Sequence, residues 1–211
     1  YDFLNRLLSL GIDTIWRKKA INLLHPHQPK QILDVATGTA DVAIEMAKRL
    51  QPARIIGLDI SKEMLDIGST KITKKGLDPV IQLQLGDSEN LVFENNTFDA
   101  ITVAFGVRNF ENLEKGLQEM QRVLKSGGHL VVLEFSKPTI FPFKQLFNLY
   151  FKHILPFIGK LTSKDPDAYG YLYKSVQAFP DGQKFVEVLE KTGFKSIECR
   201  RLSLGICTIY F

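Results

Sequence analysis

The sequence predicts an α/β fold in which helices cover both faces of a seven-stranded, mostly parallel sheet. Short apolar runs alternate with longer segments of helical period, as parallel strands joined by crossover helices require. The 211 residues suit one large core, since single cores grow to roughly 250 residues before they divide. We therefore expect one domain over residues 1–211.

Seven apolar runs have the length and composition of strands. The predicted strands are residues 31–36, 54–59, 81–85, 98–104, 129–134, 196–201 and 205–211. The first half of the chain follows the order βαβαβ, which brings the carboxyl ends of its strands to one edge of the sheet.

Between the strands, apolar residues recur at helical spacing. Residues 41–50 carry this pattern, and Ser61 is a typical N-cap for the next helix, with Gly76 as its stop signal. A further helix is marked by an apolar stripe at steps of four and three, formed by Leu113, Leu117, Met120 and Leu124. Such a stripe is typical of core packing, so we assign it no functional role. Residues 126–128 then predict a turn into the fifth strand.

Two regions interrupt the alternation and are candidates for a substrate cover. They are residues 1–24, expected to be helical, and residues 135–193. Between residues 141 and 173 the second region holds nine aromatic side chains: Phe141, Phe143, Phe147, Tyr150, Phe151, Phe157, Tyr169, Tyr171 and Tyr173. Basic residues lie among them, a mixture that suits an apolar ligand, lipid headgroups or an amphipathic helix packed on its own domain.

Composition excludes several classes of function. Lysine and arginine exceed aspartate and glutamate by 27 to 23, a net charge of +4 that is too small and too evenly spread for a nucleic-acid partner. Cys199 and Cys207 form no metal motif, so we expect two reduced thiols and no metal. No apolar run approaches the roughly 20 residues that span a bilayer. Residues 1–6 also lack the pattern of a secretion signal, and we expect a cytoplasmic location.

The loop after the first strand, residues 34–41, carries the strongest functional signal of the residues themselves. Gly38 lets the backbone turn tightly at the carboxyl edge of the sheet. Asp59 ends the second strand, where a carboxylate can accept hydrogen bonds from ribose hydroxyls. Asp87 and Ser88 follow the third strand, where an acid and a backbone amide can bind an adenine edge. The pattern predicts a nucleoside site, unless these acids only cap helices.

The same loop disfavours a dinucleotide. The Gly-x-Gly-x-x-Gly fingerprint needs two further glycines where Ala40 and Ala43 stand, which leaves less room for a pyrophosphate. The loop instead resembles that of the class I methyltransferases, which hold the amino-acid end of S-adenosylmethionine without any phosphate. This resemblance implies a Rossmann-like fold with an antiparallel last strand, and S-adenosyl-L-methionine as the cofactor.

Five further strings resemble the ubiquinone/menaquinone biosynthesis C-methyltransferase family, and they span nearly the whole chain. They are Tyr1-Asp2-Phe3-Leu4-Asn5, Thr14-Ile15-Trp16-Arg17, Phe105-Gly106-Val107-Arg108-Asn109, Leu133-Glu134-Phe135-Ser136-Lys137-Pro138, and residues 169–173 leading to Ser175. The third and fourth are the most specific, since each follows a strand where the rim of the active site is expected. The resemblance implies methylation of a ring carbon of a lipid-tailed quinol.

By this resemblance, the positions that contact the cofactor are Thr39, Asp59, Asp87 and Ser88. Ala104 departs from some members, in which a serine also contacts the cofactor. This departure favours demethylmenaquinol as the acceptor, in the final methylation step of menaquinone biosynthesis. The benzoquinol of the ubiquinone pathway stays open.

Carbon methylation of a quinol needs a deprotonated ring hydroxyl. With a phenol pKa of about 10, forming the anion at pH 7 costs about 4 kcal/mol. A guanidinium beside the oxygen lowers this cost while it stays charged. We expect Arg108 to stabilise the quinolate, directly or through a water, and Asn109 to orient a quinol oxygen; the alternative is a structural Arg-Asn turn. Three secondary candidates for proton handling are His153, Asp165 and Tyr169.

Two other classes of function stay open from the sequence. One is a protein without catalysis that holds cofactor or lipid in a biosynthetic complex. The other is a methyltransferase for oxygen or nitrogen of a small soluble acceptor. The quinol hypothesis predicts two partners, the lipid-tailed quinol itself and the inner face of the membrane. It leaves a homodimer open and predicts no nucleic-acid partner.

Overall fold

The computed structural model describes residues 11–150 and 167–211, apart from the side chains of residues 146, 148 and 167–169. The described strands are β1 Gln31–Val35, β2 Arg54–Asp59, β3 Ile81–Leu85, β4 Phe98–Ala104, β5 Leu124–Phe135, β6 Cys199–Leu202 and β7 Cys207–Tyr210. The described α-helices are α1 Asp13–Leu24, α2 Asp41–Leu50, α3 Lys62–Lys74, α4 Leu113–Val123, α5 Phe143–Leu149, α6 Asp167–Ala178 and α7 Gln183–Lys191.

The strands form a sheet in the order β3-β2-β1-β4-β5-β7-β6. Strands β1 to β5 pair in parallel, whereas β7 runs antiparallel to both β5 and β6. The predicted seven-stranded, mostly parallel sheet with an antiparallel last strand is therefore confirmed. Because β4 pairs with β1, the chain reverses its direction across the sheet between these two strands. Such a switch point opens a crevice at the carboxyl ends of the strands.

Apolar side chains fill both faces of the sheet, as predicted. Helices α1, α2 and α3 contribute to the core on one face, and α4 and α7 contribute to the core on the other. In the predicted core stripe of α4, Leu117 and Met120 are fully buried. Ser61 caps α3 as predicted, since its side chain accepts a hydrogen bond from the Met64 amide.

The largest error in the predicted bounds concerns β5. This strand begins at Leu124 rather than at residue 129, and the residues predicted as a preceding turn lie inside it. The pairing with β4 shifts register between Phe98 and Ala100, and Gly127 in the bulged stretch has a φ of 76°. The Ser-Gly-Gly sequence is therefore a bulge within a strand, because Leu124 before it and His129 after it both pair with β4.

Trp16 holds α1 against the sheet. Its side chain is 2% exposed, and its indole Nε1 donates a hydrogen bond of 2.9 Å to Ser203 Oγ. Its ring also packs on Phe105 and Phe135, at centroid distances of 6.4 and 6.2 Å. Helix α1 thus belongs to the core and reaches the carboxyl ends of β4 and β5.

The region 135–193 divides into parts with different surroundings. Phe185 of α7 is fully buried against Tyr210, with ring centroids 4.7 Å apart, so α7 is a core helix and no cover. Phe147 of α5 is buried, whereas Phe141 is 77% exposed. Residues 151–166 of the predicted cover lie outside what the structure describes, among them the candidates Phe151, His153, Phe157 and Asp165, and so does the side chain of Tyr169.

Gly106, which follows β4, lies directly against the loop that follows β1. A Cβ added at residue 106 would stand 2.4 Å from the Cβ of Ala36. The two loops can approach this closely only because residue 106 lacks a side chain. This contact closes the floor of the crevice at the switch point.

We expect Gly106→Ala to lower the free energy of unfolding by about 1–3 kcal/mol, because the added methyl forces the two loops apart. Urea denaturation measures the change. The control is Gly170→Ala in α6, where an added Cβ meets nothing within 4 Å. This control should be neutral or stabilising by up to about 1 kcal/mol, because alanine favours the helix. Equal stability of Gly106→Ala and the unmodified protein would contradict the described loop contact.

Candidate active site

A cavity of about 410 Å³ opens at the carboxyl edge of the sheet, at the switch point between β1 and β4. Its volume lies within the range of about 300–1,000 Å³ that small-molecule sites occupy. The segments after β1, β2, β3 and β4 line it, together with Arg17 of α1 and Tyr171 of α6. The structure brings five predicted site residues together in this wall: Gly38, Asp59, Asp87, Ser88 and Asn109.

The loop after β1 is held in a tight conformation. Ala36, Gly38 and Ala40 have φ values of 53°, 58° and 63°, and two of these residues are not glycine. Left-handed backbone at non-glycine residues is costly and is most often found at functional sites. The Gly38 amide donates to Asp59 Oδ2 at 2.8 Å, which ties the loop to the end of β2. The two residues are therefore fixed relative to each other without a ligand.

Asp59 retains acceptor capacity for a ligand. Its side chain is 8% exposed, and its second oxygen, Oδ1, accepts a hydrogen bond of 2.9 Å from the Ser61 amide. Each carboxylate oxygen offers two acceptor positions, so a pair of hydroxyl groups could still donate to it. Asp87 is exposed, and its Oδ1 accepts from the Glu89 amide at 2.9 Å, which shapes the turn after β3. These acids fit the recognition of a nucleoside.

Thr39 is a predicted cofactor residue that does not line the cavity. Its side chain is buried, and its Oγ1 accepts a hydrogen bond of 2.5 Å from Lys71 Nζ. The same ammonium pairs with Asp41 Oδ1 at 2.7 Å. Thr39 therefore lies behind the wall, where it connects the loop to α3.

Arg108 does not line the cavity either. Its side chain is 1% exposed, and its Nη1 donates to Glu134 Oε1 at 2.7 Å and to the Phe105 carbonyl at 2.6 Å. Within the described residues, its Nε and Nη2 are buried and have no hydrogen-bond partner. Sequence reasoning placed Arg108 at the rim and missed this buried pair. The available signal was Glu134, a charged residue at the end of an apolar strand.

Glu134 is itself fully buried. Burial raises the pKa of this carboxyl, and the Arg108 guanidinium opposes the rise. Its Oε1 also accepts a hydrogen bond from the Phe135 amide at 2.8 Å. Since Arg108 lies over the Phe135 ring, with Cζ 5.5 Å from its centroid, the guanidinium is fixed in position from two sides.

Asn109 differs from Arg108, its neighbour, in that it faces the cavity. Its side chain is exposed, and its Oδ1 accepts a hydrogen bond of 3.2 Å from the Tyr171 hydroxyl. This contact joins the segment after β4 to α6.

Asp34 is the site residue that sequence reasoning missed. It lines the cavity from β1, is 1% exposed, and accepts hydrogen bonds from Thr37 Oγ1 at 2.6 Å and from Thr102 Oγ1 at 2.5 Å. Burial raises its pKa to about 6, and the two hydroxyls limit the rise. The signal in the sequence was a lone acid within an apolar strand, since buried acids are rare without a partner.

The wall of the cavity is strongly acidic. Six of its residues carry carboxyl groups: Asp34, Asp41, Asp59, Asp87, Glu89 and Glu111. Among the described residues of the wall, Arg17 is the only cation. Such a wall repels phosphates and attracts cations. It therefore does not fit a dinucleotide, but it fits S-adenosylmethionine, which carries a sulfonium, an ammonium and a single carboxylate.

Solved structures share this fold. A candidate S-adenosyl-L-methionine-dependent methyltransferase from Methanococcus maripaludis superposes with a TM-score of 0.64 at 21% identity, over 98% of this chain and 90% of that one. Phosphoethanolamine N-methyltransferase 2 from Haemonchus contortus, solved with S-adenosyl-L-methionine, gives a TM-score of 0.60 at 19% identity, over 82% of this chain and 35% of that one. The fold is that of the Rossmann-like, S-adenosylmethionine-dependent methyltransferases.

Sequence comparison is more specific. The model of the ubiE/COQ5 methyltransferase family matches residues 1–211. Demethylmenaquinone methyltransferase from Bacteroides fragilis is 54% identical over 210 residues, which is 100% of this chain and 86% of that protein. Ubiquinone/menaquinone biosynthesis C-methyltransferase UbiE from Geotalea daltonii is 45% identical over 211 residues, 100% and 89% of the two chains. This chain belongs to the ubiE/COQ5 methyltransferase family.

The family, the fold, the enzyme class and the cofactor predicted from the sequence are thereby confirmed. The chain is an S-adenosyl-L-methionine-dependent methyltransferase. The roles of individual site residues remain predictions. Of the two cysteines, Cys199 is exposed and Cys207 is buried, and both are free thiols.

The raised pKa of Asp34 makes stability depend on pH. Its native pKa of about 6 exceeds the ordinary 3.8, so the native state binds this proton more tightly than the unfolded state. The stability that this group contributes therefore falls as pH rises from about 4 to about 6. We expect the free energy of unfolding of Asp34→Asn to rise relative to that of the unmodified protein as pH increases from about 4 to about 6, by on the order of 3 kcal/mol. Above about pH 6 the difference between the two proteins should stay constant.

Urea denaturation of the ligand-free protein between pH 4 and 8 measures this difference. Asp99→Asn is the control. Burial raises the pKa of Asp99, but hydrogen bonds from Lys125 and from backbone amides bring it below its ordinary value. Its variant should therefore show no such gain above pH 5. A difference between Asp34→Asn and the unmodified protein that is constant over this whole range would contradict the raised pKa.

Proposed function

We propose that this protein transfers a methyl group from S-adenosyl-L-methionine to a ring carbon of demethylmenaquinol, the final methylation of menaquinone biosynthesis. The observation that carries this acceptor is the 54% identity, over the whole chain, to the Bacteroides fragilis protein named demethylmenaquinone methyltransferase. Ala104, which stands where some members of the family have a serine, lines the cavity. The benzoquinol of the ubiquinone pathway is the second candidate, because the Geotalea daltonii relative is named for both pathways.

The cofactor, when bound, supplies an electrophilic methyl group on a sulfonium. Asp59 would accept hydrogen bonds from the ribose hydroxyls, and Asp87 and Ser88 would bind the adenine edge. Gly38 admits the ligand close to the backbone of the loop after β1. Thr39 acts from behind this loop through its bond to Lys71. The acidic wall supports this assignment, since it favours a ligand of positive net charge.

Arg108 stabilises the quinolate through a bound water in this proposal, because its side chain is buried and does not line the cavity. Two buried guanidinium nitrogens without an acceptor in the described residues support the role, since an unsatisfied buried donor is costly and favours a ligand or water that accepts from it. Glu134 fixes the orientation of the guanidinium. Its negative charge also limits how far Arg108 alone can lower the pKa of the phenol, so hydrogen bonding to the oxygen carries much of the effect. Asn109 orients a quinol oxygen through its amide nitrogen.

Exclusion of water supports the same reaction. Attack of an anion on a sulfonium cancels two charges, so a poorly solvated site favours the transition state over the separated ions. Phe105 in the cavity wall is 4% exposed, and its ring packs on Phe135 at a centroid distance of 4.7 Å. These rings place apolar surface beside the segment that carries Arg108 and Asn109.

We expect labelled methyl from S-adenosylmethionine to appear in reduced but not in oxidised demethylmenaquinone, because only the quinol has a hydroxyl to deprotonate. Arg108→Lys should lower kcat by about 10²–10³-fold, since an ammonium cannot reproduce the planar donor pair. Its affinity for S-adenosylhomocysteine should stay within about threefold of the unmodified protein. Arg108→Ala is less informative, because an unpaired buried Glu134 would cost about 3–5 kcal/mol of stability.

Glu134→Asp serves as the matched variant. It retains the carboxylate that balances the charge of Arg108, so it should lower kcat less than Arg108→Lys does. Tight cofactor binding without transfer to either form of the quinone would reject the acceptor and favour a protein without catalysis. Transfer to oxygen or nitrogen of a small soluble acceptor would favour the remaining alternative.

The proposal includes contact with the membrane surface, where a lipid-tailed quinol resides. Exposed apolar side chains from three segments support it: Ile12, Ile15, Ile140, Phe141 and Leu204. Ser203, which precedes Leu204, accepts a hydrogen bond from Trp16 of α1. A Cβ added to Gly205 would stand 3.4 Å from the Cα of Pro138. These contacts bring the three segments together. In residues 11–150 and 167–211, no helix is long and apolar enough to cross a membrane.

We expect the double variant Ile140→Ser/Phe141→Ser to bind anionic vesicles at least about tenfold more weakly, because two apolar side chains no longer enter the lipid. Vesicle sedimentation measures the partition. The control is Ile67→Ser/Val92→Ser, in which the replaced side chains are 53% and 72% exposed but belong to other segments. An equal loss in both variants, or in neither, would argue against a membrane surface at residues 140–141.

A further inference from the structure

We infer that Arg17 binds the carboxylate of the methionyl end of S-adenosyl-L-methionine, so that α1 completes the cofactor site. The inference depends on the cofactor and not on the acceptor. It concerns a residue outside the strand ends, which the sequence indicated only as part of a cover and of the string Thr14-Ile15-Trp16-Arg17, without a role of its own.

The charge of the wall is the first argument. S-adenosylmethionine has one anionic group, and a carboxylate placed against six other carboxyl groups is strongly unfavourable unless a cation is near. Among the described residues of the wall, that cation is Arg17. Asp34 is a buried acid that lines the same cavity, and Arg17 acts on it electrostatically. Arg17 and Asp34 together match the carboxylate and the ammonium of an amino acid.

Position is the second argument. The guanidinium of Arg17 lies over the Phe105 ring, with Cζ 5.8 Å from its centroid, and therefore at the end of β4. Its Nη1 also lies 3.4 Å from Asp41 Oδ2, at the start of α2. With the nucleoside at Asp59 and Asp87, over β2 and β3, the rest of the cofactor must occupy the part of the cavity over β1 and β4. Arg17 lines that part.

The ion pairs of Arg17 are consistent with a ligand at its guanidinium. It lies 3.4 Å from Asp13 and 3.4 Å from Asp41. Asp41 also has a closer partner, since Lys71 Nζ lies 2.7 Å away. A ligand carboxylate that competes with Asp41 for Arg17 therefore leaves Asp41 paired with Lys71. Asp13, which is fully buried, keeps the guanidinium oriented from behind.

The test compares two ligands on two proteins by isothermal titration calorimetry. The ligands are S-adenosylmethionine and its decarboxylated form, which lacks only the carboxylate. The unmodified protein should bind the decarboxylated form about 10–100-fold more weakly. Arg17→Gln should lose a similar factor for S-adenosylmethionine and less than threefold for the decarboxylated form, because the lost contact is absent from that complex.

Two further variants keep the test decisive. Asp13→Asn/Arg17→Gln removes the buried acid that Arg17→Gln would leave without its cation, and thermal unfolding verifies that each variant is folded. Lys18→Ala, at an exposed position of the same helix, should bind both ligands like the unmodified protein.

Equal losses for both ligands in the Arg17 variants, or equal affinity of the unmodified protein for both, would overturn the inference. Unchanged cofactor affinity with a raised KM for the quinol would overturn it too, in favour of a role at the acceptor.

Discussion

The buried carboxylate of Asp34 holds the two sides of the switch point together. Thr102 of β4 donates to one of its oxygens, and Thr37 of the loop after β1 donates to the other. A carboxylate loses hydration when it is buried, and hydrogen bonds to both oxygens recover part of that cost. Because the loop is anchored in this way, Gly38 can in turn bond to Asp59, which ties the loop to the end of β2.

Local patterns predicted much of this fold, and the successes share a cause. The bounds of β2, β3, β4 and α2 were correct because buried parallel strands are short apolar runs and amphipathic helices show their period locally. The bulge at Gly127 was missed because its residues have the composition of a turn, and only pairing with β4 makes them part of a strand.

The site was predicted less completely, because the sequence does not show in which direction a side chain points. Sequence spacing places Asp59 and Asp87 at strand ends, and both line the cavity. Spacing does not give the direction of Arg108, which depends on Glu134, 26 residues away. Asp34 accepts a hydrogen bond from the hydroxyl of Thr102, which lies 68 residues away, so no local pattern shows its role. Residues that act through distant partners are those that the sequence alone predicts least well.

Two guanidinium groups flank one aromatic pair in this site. Arg17 lies over Phe105, Arg108 lies over Phe135, and the two rings pack on each other. Arginine stacks on aromatic faces with little loss of its capacity to donate in its own plane. The two rings therefore help to position both guanidinium groups. Arg17 lines the cavity, whereas the side chain of Arg108 is buried and does not.

The hydrogen bond between Trp16 and Ser203 spans 187 positions of the chain. Contacts of such separation form late in folding, because a long loop must close before they stabilise anything. On a ribosome, residues near 203 emerge after most of the sheet has been synthesised. The bond between Trp16 and Ser203 can therefore form only after them. A nascent chain that already carries the nucleoside-binding strands still lacks this tie, which fixes Trp16, next to Arg17 of the cavity wall, to the segment between β6 and β7.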